Sequence, residues 1–395
     1  MEYDFDRIVD RKDTFDMKWH SRAVEDYIGK KIPDDIIPMW VADTEFACAP
    51  IIVEAVKKRA EKQIFGYCTL LPEVYRTICF WQKKRFHWEI QSEWIAALPS
   101  VVAGVNIAIR SFSEKGDGVI IQEPVYNPFA KIIRNADRRV VNNGLKCVDG
   151  YYEMDYEELE MLAAKPENKM MVLCSPHNPV GRVWMEEELR KVADICLNNE
   201  VMLIVDEIHS DIVFEGHRHL PLLSLDQKYR EKFILLNSPG KSFNISGLKF
   251  SMAILPNESI RKRFCEMQIR MSLDIKNTFG LEAVVAAYTD EGEEWLEQEL
   301  SYMQDNVEYM LKFVEEKMPG IKMVKPEGTF LGWLDFSGMG LTEEDIFRKI
   351  FLEAGVIGVP GAWFGKGGEQ HLRVNFGCPR SLLVHAMEKI RAALY

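Results

Sequence analysis

A lysine in a loop directly after a predicted strand is the best candidate for covalent chemistry in this chain. The apolar run Phe233-Ile234-Leu235-Leu236 predicts a buried strand, and the Pro, Gly, Ser and Asn residues around Lys241 indicate a tight loop behind it. Burial disfavours the ammonium form, so a lysine in this position can hold a neutral amine. A neutral lysine amine can form a Schiff base with an aldehyde cofactor.

Two other interpretations of Lys241 compete with this one. A lone lysine near a turn is commonly a solvated surface residue. The triplet Gly240-Lys241-Ser242 also matches the end of a nucleotide-binding P-loop, but that motif requires glycine at position 235, where this chain has Leu235. A P-loop is therefore disfavoured, and the case for a functional lysine depends on partners elsewhere in the chain.

A carboxylate that ends a second predicted strand is the first of these partners. Asp206 directly follows the apolar run 201–205, and a carboxylate there is costly unless it is paired or functional. Pyridoxal phosphate (PLP) needs such a group, because an aspartate keeps its pyridine nitrogen protonated and able to draw electrons. His209, three residues on, could hydrogen-bond the ring oxygen of the cofactor. A capping or salt-bridged aspartate and a structural histidine are the alternatives.

Two more candidate residues also follow predicted strands. Asn178 lies in the stretch Ser175-Pro176-His177-Asn178-Pro179, and Tyr126 lies in Glu123-Pro124-Val125-Tyr126. The Asn178 amide could donate to the phenolic oxygen of PLP, and the Tyr126 ring could stack on the flat cofactor ring. Taken singly, Asn178 before a proline is also a common turn signal, and Tyr126 is also compatible with ordinary packing.

Anion-binding groups are predicted at two further places. Ser100-Val101-Val102 enters a predicted helix, whose first backbone N–H groups and dipole can bind a phosphate. Arg373 is flanked by apolar residues, and a half-buried arginine can grip a carboxylate or phosphate with two parallel hydrogen bonds. An internal salt bridge is the alternative for Arg373.

The elements that must position these residues alternate between short apolar strands and helices. Continuous apolar strands separated by helices indicate an α/β fold with a mostly parallel sheet covered on both faces. Ligands of such sheets bind beyond the carboxyl ends of the strands, where the candidate residues lie. The predicted strands are 119–121, 170–174, 201–205, 233–236 and 251–255.

The same pass along the chain predicts three parts. Residues 1–45 look irregular and are predicted as an N-terminal segment that packs with a small domain. Residues 46–290 are predicted as a large cofactor-binding domain, and residues 291–395, which begin with a long charged helix, as a small C-terminal domain. An apolar stripe in the last predicted helix, 381–394, is interpreted as core rather than as a binding surface.

Composition and charge narrow the class of protein and its partners. Of the 395 residues 47% are hydrophobic and 28% are charged, and the net charge of −12 argues against a nucleic-acid or anionic-membrane partner. We find no signal-peptide pattern and no apolar run long enough to span a bilayer. Eight scattered cysteines without a Cys-x-x-Cys pair favour reduced thiols in a cytoplasm over disulfides or a zinc site.

A series of stretches across almost the whole chain resembles one enzyme family. They are similar, in order, to the fold type I PLP enzymes of the aminotransferase class, and more closely to the MalY/PatB group of cystathionine β-lyases and cystalysin-like C–S lyases. Asp206-Glu207-Ile208-His209 is the most telling stretch, because ordinary aminotransferases usually carry Tyr where His209 stands. The other matching stretches are Trp40-Val41-Ala42-Asp43, Phe65-Gly66-Tyr67, Glu123-Pro124-Val125-Tyr126, Cys174-Ser175-Pro176-His177-Asn178-Pro179-Val180-Gly181-Arg182, Lys241-Ser242-Phe243-Asn244-Ile245 and Arg373-Val374-Asn375-Phe376-Gly377-Cys378-Pro379-Arg380.

The resemblance implies a PLP-dependent transferase fold of the aspartate aminotransferase type, and a role for each candidate. At the cofactor ring, Lys241 would hold PLP as a Schiff base and Asp206 would pair with the pyridine nitrogen. Tyr126 would stack on the ring, and Asn178 and His209 would lie by its oxygen.

The resemblance also implies contacts to the cofactor phosphate and to a substrate. Tyr67 would reach the phosphate of the neighbouring subunit, which implies a homodimer with shared active sites. Arg373 would bind the α-carboxylate of a small amino-acid substrate. Within one chain, the phosphate would be surrounded by Ser238, Val101, Val102 and Lys249.

This sequence departs from the family pattern at four places. Gly240 stands where a serine is common, and Lys249 stands where many aminotransferases have a phosphate-binding arginine. Asn127 stands where cystalysin-like relatives can have a second tyrosine, and Thr44-Glu45 replaces the family's Met-Asp. These departures put in question one phosphate hydroxyl contact, tyrosine-assisted proton transfer and the shape of the substrate entrance.

The sequence therefore predicts a PLP-dependent carbon–sulfur β-lyase. It would convert L-cystathionine, or a related cysteine thioether or disulfide, to a thiol, pyruvate and ammonia by α,β-elimination. A PLP-dependent aminotransferase is the alternative, because both reactions begin by removing the same proton. A regulatory or partner-binding protein with a PLP fold is a third possibility. We expect no nucleic-acid or membrane partner and a cytoplasmic location.

Overall fold

A seven-stranded sheet organises the larger part of the computed structural model, which describes residues 2–12 and 14–395. The strands of the described chain are β1 (Ile37–Pro38), β2 (Ile95–Leu98), β3 (Gly118–Ile121), β4 (Arg139–Asn142), β5 (Lys146–Val148), β6 (Tyr151–Glu153), β7 (Asn168–Cys174), β8 (Met202–Asp206), β9 (Ile234–Asn237), β10 (Ser251–Ile254), β11 (Lys322–Met323), β12 (Leu331–Asp335), β13 (Val356–Ile357), β14 (Val359–Pro360) and β15 (His371–Asn375). Seven of them form the large sheet, in the order β2-β10-β9-β8-β7-β3-β4.

Helices cover the large sheet and connect it to the rest of the chain. They are α1 (Ser21–Ile28), α2 (Pro50–Ala60), α3 (Pro72–Phe86), α4 (Val101–Phe112), α5 (Pro128–Asn135), α6 (Tyr156–Ala163), α7 (Glu186–Asn198), α8 (Gln227–Arg230), α9 (Glu258–Arg270), α10 (Thr278–Ala287), α11 (Asp290–Lys317), α12 (Glu343–Phe347) and α13 (Arg380–Leu394).

The pairing within the large sheet confirms the predicted α/β class. Strands β4, β3, β7, β8 and β9 run parallel to one another, and β10 runs antiparallel to both β9 and β2. Successive side chains of a strand point to opposite faces, so both faces of β8 are apolar. Leu203 and Val205 belong to the core on one face, and Met202 and Ile204 belong to the core on the other. The five predicted strands are confirmed within two residues at each end.

A second sheet is antiparallel, with the order β11-β12-β15-β14. Its strand β15 carries Arg373, which pairs in register with Trp333 of β12 and Val359 of β14. The long helix α11 lies between the two sheets in the sequence, and its apolar residues, such as Leu296, Met303 and Met310, are buried. The division of the chain into domains at residues 46 and 291 stays a prediction.

The expectation that residues 1–45 are irregular is wrong in two places. Helix α1 forms there and ends at Gly29, which adopts the left-handed conformation (φ 70°) that glycine accommodates readily. Only Val24 and Ile28 of this helix are buried, so its apolar pattern is weak. Strand β1 exists because it pairs in parallel with β13, more than 300 residues further along the chain, and two residues carry no recognisable pattern.

Two structural absences are relevant to function. Within residues 2–12 and 14–395, no helix is long and apolar enough to cross a membrane. In the same described part of the chain, no group of three or more His, Cys, Asp or Glu side chains is arranged to hold a metal ion.

Candidate active site

A cavity of about 300 Å³ lies at the carboxyl ends of the central strands. It follows from the parallel pairing of β7, β8 and β9, because the residues after parallel strands meet at one edge of the sheet. All the predicted site residues except Tyr67 line it. These lining residues are Val101, Val102, Tyr126, Asn178, Asp206, His209, Ser238, Lys241, Lys249 and Arg373.

The Lys241 amine lies in this cavity and donates a hydrogen bond to the carbonyl of Ala42. Desolvation by the surrounding protein lowers the pKa of Lys241 to about 8. The Asp43 carboxylate opposes this change, the Arg373 guanidinium adds to it, and Asp206 opposes it more weakly. The amine is therefore neutral in a useful fraction of molecules near neutral pH, as the position of the lysine predicted.

Asp206 is the last residue of β8 and is buried. Its Oδ1 accepts a hydrogen bond from the Ile208 amide at 3.1 Å. Burial raises the pKa of Asp206 to about 7, and the Lys241 amine lowers it only in part. A cationic ring nitrogen placed beside this carboxyl group would restore its ionised form.

His209 is a buried histidine with a free ring nitrogen. Its Nδ1 has no hydrogen-bond partner within the described chain, and its ring packs edge-on against Phe330 with centroids 5.6 Å apart. Burial, and then the charges of Lys241 and Arg373, lower the pKa of His209 to about 3. The imidazole is therefore neutral, and one buried ring nitrogen faces a site without a protein partner.

Arg373 is buried in the middle of β15 and holds two elements of the site together. It donates to the Asn178 side-chain oxygen at 3.2 Å and to the Trp40 carbonyl at 2.6 Å. Its guanidinium lies 5.1 Å from the centre of the Phe364 ring. Burial lowers the pKa of Arg373 to about 10. Within the described chain it forms no ion pair with a carboxylate, which removes the internal salt bridge as an explanation.

The N-terminus of α4 supplies backbone donors at the edge of the cavity. Ser100 caps the helix, since its side-chain oxygen accepts from the Ala103 amide at 3.1 Å. The amides of Val101 and Val102, in the first turn, have no partner inside the helix and suit an anion. Lys249 lies on the same cavity wall and adds a positive charge.

Ser238 lies in the cavity wall, but its hydroxyl already has partners in the loop. It donates to the Phe250 carbonyl at 2.7 Å and accepts from the Gly240 amide at 3.0 Å. The hydroxyl therefore holds the loop in shape, and its predicted contact with a phosphate stays a prediction. Tyr126 is half-buried, its pKa is raised by burial and by Asp206, and its predicted stacking role likewise stays a prediction.

The close packing around position 240 favours glycine there. A Cβ built there would lie 3.0 Å from the Ser238 hydroxyl oxygen, 3.1 Å from the Ser246 hydroxyl oxygen and 3.3 Å from the Ser246 Cα. These three contacts are tighter than ordinary packing. A serine at position 240 would require its neighbours Ser238 and Ser246 to move by a few tenths of an ångström.

Several cavity residues were missed by the sequence analysis. Val41 and Ala42 contribute to the wall, and Ala42 does so through a backbone carbonyl, which leaves no signature in a sequence. Ile208 also lines the cavity, although its place between Asp206 and His209 was a signal that could have been used. Pro99, Cys174, Ser246, Phe250 and Ser251 line the cavity as well.

Tyr67 is not part of the cavity of its own chain. Its side chain is fully exposed, at 111% relative accessibility, in a stretch without regular structure between α2 and α3. A role for Tyr67 therefore requires a second chain, and that role stays a prediction.

The fold and the cavity define a class of protein that comparison with known sequences also identifies. The chain belongs to the aminotransferase class I and II family, whose sequence profile matches residues 40–390. Its fold is the aspartate aminotransferase-like fold of PLP-dependent enzymes.

Particular relatives lie within this family. The chain is 36% identical over 390 residues to cystathionine β-lyase PatB from Bacillus subtilis, with 99% of each chain covered. It is 34% identical over 385 residues to protein MalY from Escherichia coli, with 96% of each covered. Cystalysin from Treponema denticola, whose crystal structure contains pyridoxal 5'-phosphate, superposes with a TM-score of 0.95 at 35% identity, covering 100% of this chain and 99% of that one.

Proposed function

We propose that this protein is a PLP-dependent carbon–sulfur β-lyase. With one water, it converts L-cystathionine or a related cysteine thioether to a thiol, pyruvate and ammonia; a cysteine disulfide would release a persulfide in place of the thiol. One observation carries this proposal: a single cavity holds a lysine amine of lowered pKa, a buried aspartate and a buried arginine without a carboxylate partner. The full-length similarity to proteins named cystathionine β-lyase and cystalysin supports the lyase over the other reactions of the fold.

The side chains in the cavity fit PLP. Asp206 would face the pyridine nitrogen, and its raised pKa shows that the protein itself provides no strong cationic partner. The buried Nδ1 of His209, which has no partner within the described chain, would lie by the ring oxygen together with Asn178. The first turn of α4 and Lys249 would hold the phosphate. When bound, PLP supplies an electron sink that stabilises negative charge at the substrate α-carbon.

Arg373 would bind and orient the substrate. Its buried guanidinium presents a side without an ion-pair partner, and its Nε has no hydrogen-bond partner in the described chain. A substrate α-carboxylate can accept two parallel hydrogen bonds from such a group. Because Asn178 and the Trp40 carbonyl fix the guanidinium, the bound carboxylate would fix the direction of the α C–H bond.

Lys241 would move the proton. Its neutral amine can accept the α-proton, and a pKa of about 8 leaves the amine neutral in about half of the molecules at pH 8. The Ala42 carbonyl would hold the amine in place through its hydrogen bond. The resulting ammonium could return a proton to the thiolate that leaves from the β-carbon.

A direct assay tests the proposal. PLP-loaded protein is incubated with L-cystathionine without a keto acid, and pyruvate and free thiol are followed together. Equal release of both is the expected result. Both reactions begin with the same proton removal, so only their products separate them. Conversion of the bound cofactor to its pyridoxamine form, with neither product, would contradict the lyase and support the aminotransferase alternative. A stable protein partner without turnover of any amino acid would support the partner-binding alternative.

We also propose that the protein lies in a cytoplasm and works as a homodimer with shared active sites. The homodimer is supported by an exposed apolar surface beside Tyr67. Two stretches form it, 64–71 and 269–279, and they touch through Phe65 and Phe279, whose ring centres lie 5.7 Å apart. Its exposed apolar side chains include Ile64, Phe65, Leu71, Ile269 and Ile275. A second copy that covers this surface would bring Tyr67 towards the neighbouring cavity.

A further inference from the structure

Residues 39–46, which we call the strap, cross the cavity with little regular pairing. Two strap residues, Val41 and Ala42, line the cavity. Every carbonyl from Met39 to Thr44 accepts a hydrogen bond from a residue distant in sequence. The donors are the Asn375 amide to Met39, Arg373 to Trp40, the Asn375 side chain to Val41 and Asp43, Lys241 to Ala42, Lys18 to Asp43, and Asn244 and Arg11 to Thr44.

A partly buried cluster of charges anchors one end of the strap. We call it the N-terminal clamp, and it consists of Arg11, Lys18, Asp43 and Glu45. The Lys18 amine lies 3.2 Å from Asp43 and 2.5 Å from Glu45, and Arg11 lies 2.9 Å from Asp43 and 3.1 Å from Glu45. The Lys18 side chain is only 2% exposed. Burying a lysine this fully is costly unless its charge is matched, so Lys18 depends on Asp43 and Glu45. Arg11 pairs with the same two carboxylates and also with Asp16, at 2.5 Å.

The clamp controls a charge that acts on the site. Burial alone would raise the pKa of Asp43, but Lys18 and Arg11 lower it below its ordinary value. Asp43 therefore remains ionised beside the cavity. Among the charged groups that act on the Lys241 amine, Asp43 is the strongest that favours its protonated form.

We propose that Arg11 and Lys18 are positioning residues for Lys241. They fix the strap so that the Ala42 carbonyl meets the lysine amine and the Asp43 carboxylate stays beside it. Neither residue touches the cavity, so both act through the strap. The inference rests on the proposed function, because Lys241 is the amine that would remove the α-proton in the lyase reaction.

The other groups that face Lys241 set the background for a test. From the end of β8 come Asp206, which favours the protonated amine, and His209, which is neutral. From β15 comes Arg373, which disfavours the protonated amine, and Lys18 in the clamp does so weakly. Asp43 acts on Lys241 more strongly than Lys18 does, so a Lys18 variant that releases Asp43 should lower the pKa of Lys241, as removal of Asp43 would. A variant that lost only the Lys18 charge would raise it.

The test compares variants of the full chain with PLP bound and without substrate. Two measurements are made: hydrogen exchange of the amides of residues 39–46, and the pH midpoint of the visible absorbance that the bound cofactor owes to Lys241. Lys18→Met should speed exchange of the strap about tenfold or more and lower the midpoint. Lys18→Arg, which keeps the charge, should restore both. Asp43→Asn should lower the midpoint, and it serves as the second variant if Lys18→Met does not fold.

Arg138→Met is the matched control. Arg138 is also a buried cation, but it binds Ser113 and the Ala136 carbonyl, away from the strap. Arg138→Met should lower the free energy of unfolding without changing the hydrogen exchange of the strap or the pH midpoint of the absorbance. In steady-state assays, Lys18→Met should lower kcat by roughly 10- to 100-fold with a much smaller change in KM, as expected for a displaced base.

Two results would overturn the inference. One is a Lys18→Met protein with wild-type strap exchange or with a midpoint that is unchanged or raised, and the other is an equal change in Arg138→Met. Because exchange and absorbance are measured without substrate, they stand whether or not the wild-type protein releases pyruvate and thiol. Failure of the lyase assay would thus be distinguishable from failure of the positioning role.

Discussion

At the scale of single residues, burial changes the protonation of the groups that would do the chemistry. Lys241 loses its proton more readily than an ordinary lysine, and Asp206 loses its proton less readily than an ordinary aspartate. Both changes arise from desolvation, which disfavours whichever form is charged. Each leads to a separate prediction.

Replacing Lys241 should remove catalysis and the cofactor signal together. In Lys241→Ala the amine that accepts the α-proton is absent, so turnover of L-cystathionine should fall to background and the visible absorbance due to the lysine–cofactor bond should vanish. Lys262→Ala is the control, because Lys262 is exposed on α9 away from the cavity. Retention of both signals in Lys241→Ala would contradict the assignment.

Replacing Asp206 should stabilise the cofactor-free chain and weaken cofactor binding. The folded-state pKa of Asp206 is raised to about 7, so its favourable contribution to folding is present at low pH and is lost as pH rises through 7. Asp206→Asn removes this cost. At pH 8 its free energy of unfolding should exceed that of the wild type by up to a few kcal/mol, and the gain should largely disappear at pH 4.

Urea unfolding of both cofactor-free proteins at the two pH values measures this difference. PLP affinity, measured in parallel, should fall in Asp206→Asn, because a neutral amide cannot pair with a protonated pyridine nitrogen. An Asp206→Asn chain that is less stable at pH 8 than the wild type would show that the aspartate stabilises the fold by itself.

At the scale of elements, the loop between β9 and β10 decides where the lysine amine lies. The Ser238 hydroxyl bridges the Phe250 carbonyl and the Gly240 amide, and the Ser246 hydroxyl donates to the Gly240 carbonyl. The loop is thus closed tightly around Gly240, where a Cβ would have contacts of 3.0 to 3.3 Å. The glycine is a local adaptation of this loop rather than a lost contact.

Restoring the serine common in the family should therefore harm this protein. In Gly240→Ser the new Cβ would press on the Ser238 and Ser246 hydroxyls, and we expect a loss of about 1–3 kcal/mol in unfolding free energy, with weaker PLP binding. Gly247→Ser in the same loop is the control, since nothing lies within 4 Å of its Cβ position. Tighter cofactor binding in Gly240→Ser would show that the missing hydroxyl matters more than the crowding.

At the scale of the whole molecule, Tyr67 and the apolar surface formed by 64–71 and 269–279 are exposed to solvent in a single chain. Exposed apolar side chains that touch across two stretches of chain mark an interaction surface, and a second copy would cover them. The phosphate contact predicted for Tyr67 depends on that second copy.

The dimer has a simple test. Light scattering should give twice the 45.7 kDa of one chain. Phe65→Asp, which places a charge in the apolar surface, should yield monomers with little activity, whereas Phe15→Asp, at an exposed phenylalanine outside it, should not. Tyr67→Phe should remain dimeric and bind PLP about tenfold more weakly, the loss of one hydrogen bond to a charged group. A fully active monomer would exclude shared sites.

The sequence by itself determined the class of fold and ten of the residues that line the cavity. Apolar runs that alternate with helices force parallel strands, and parallel strands bring the residues that follow them, such as Asn178, Asp206 and Lys241, to one edge. That inference needs only local pattern and the geometry of the sheet. The stretches that resemble the family supplied the roles, which stay predictions until they are measured.

Only the tertiary structure decided how the site is held. Helix α1, the strap and the N-terminal clamp depend on contacts between residues far apart in the sequence, such as the bond from Arg373 to the Trp40 carbonyl, which spans 333 positions. Backbone carbonyls are the acceptors in the strap, and every residue type has one. No local pattern can therefore reveal them, because the partner of a backbone group is chosen by the folded chain and not by the identity of the residue that carries it.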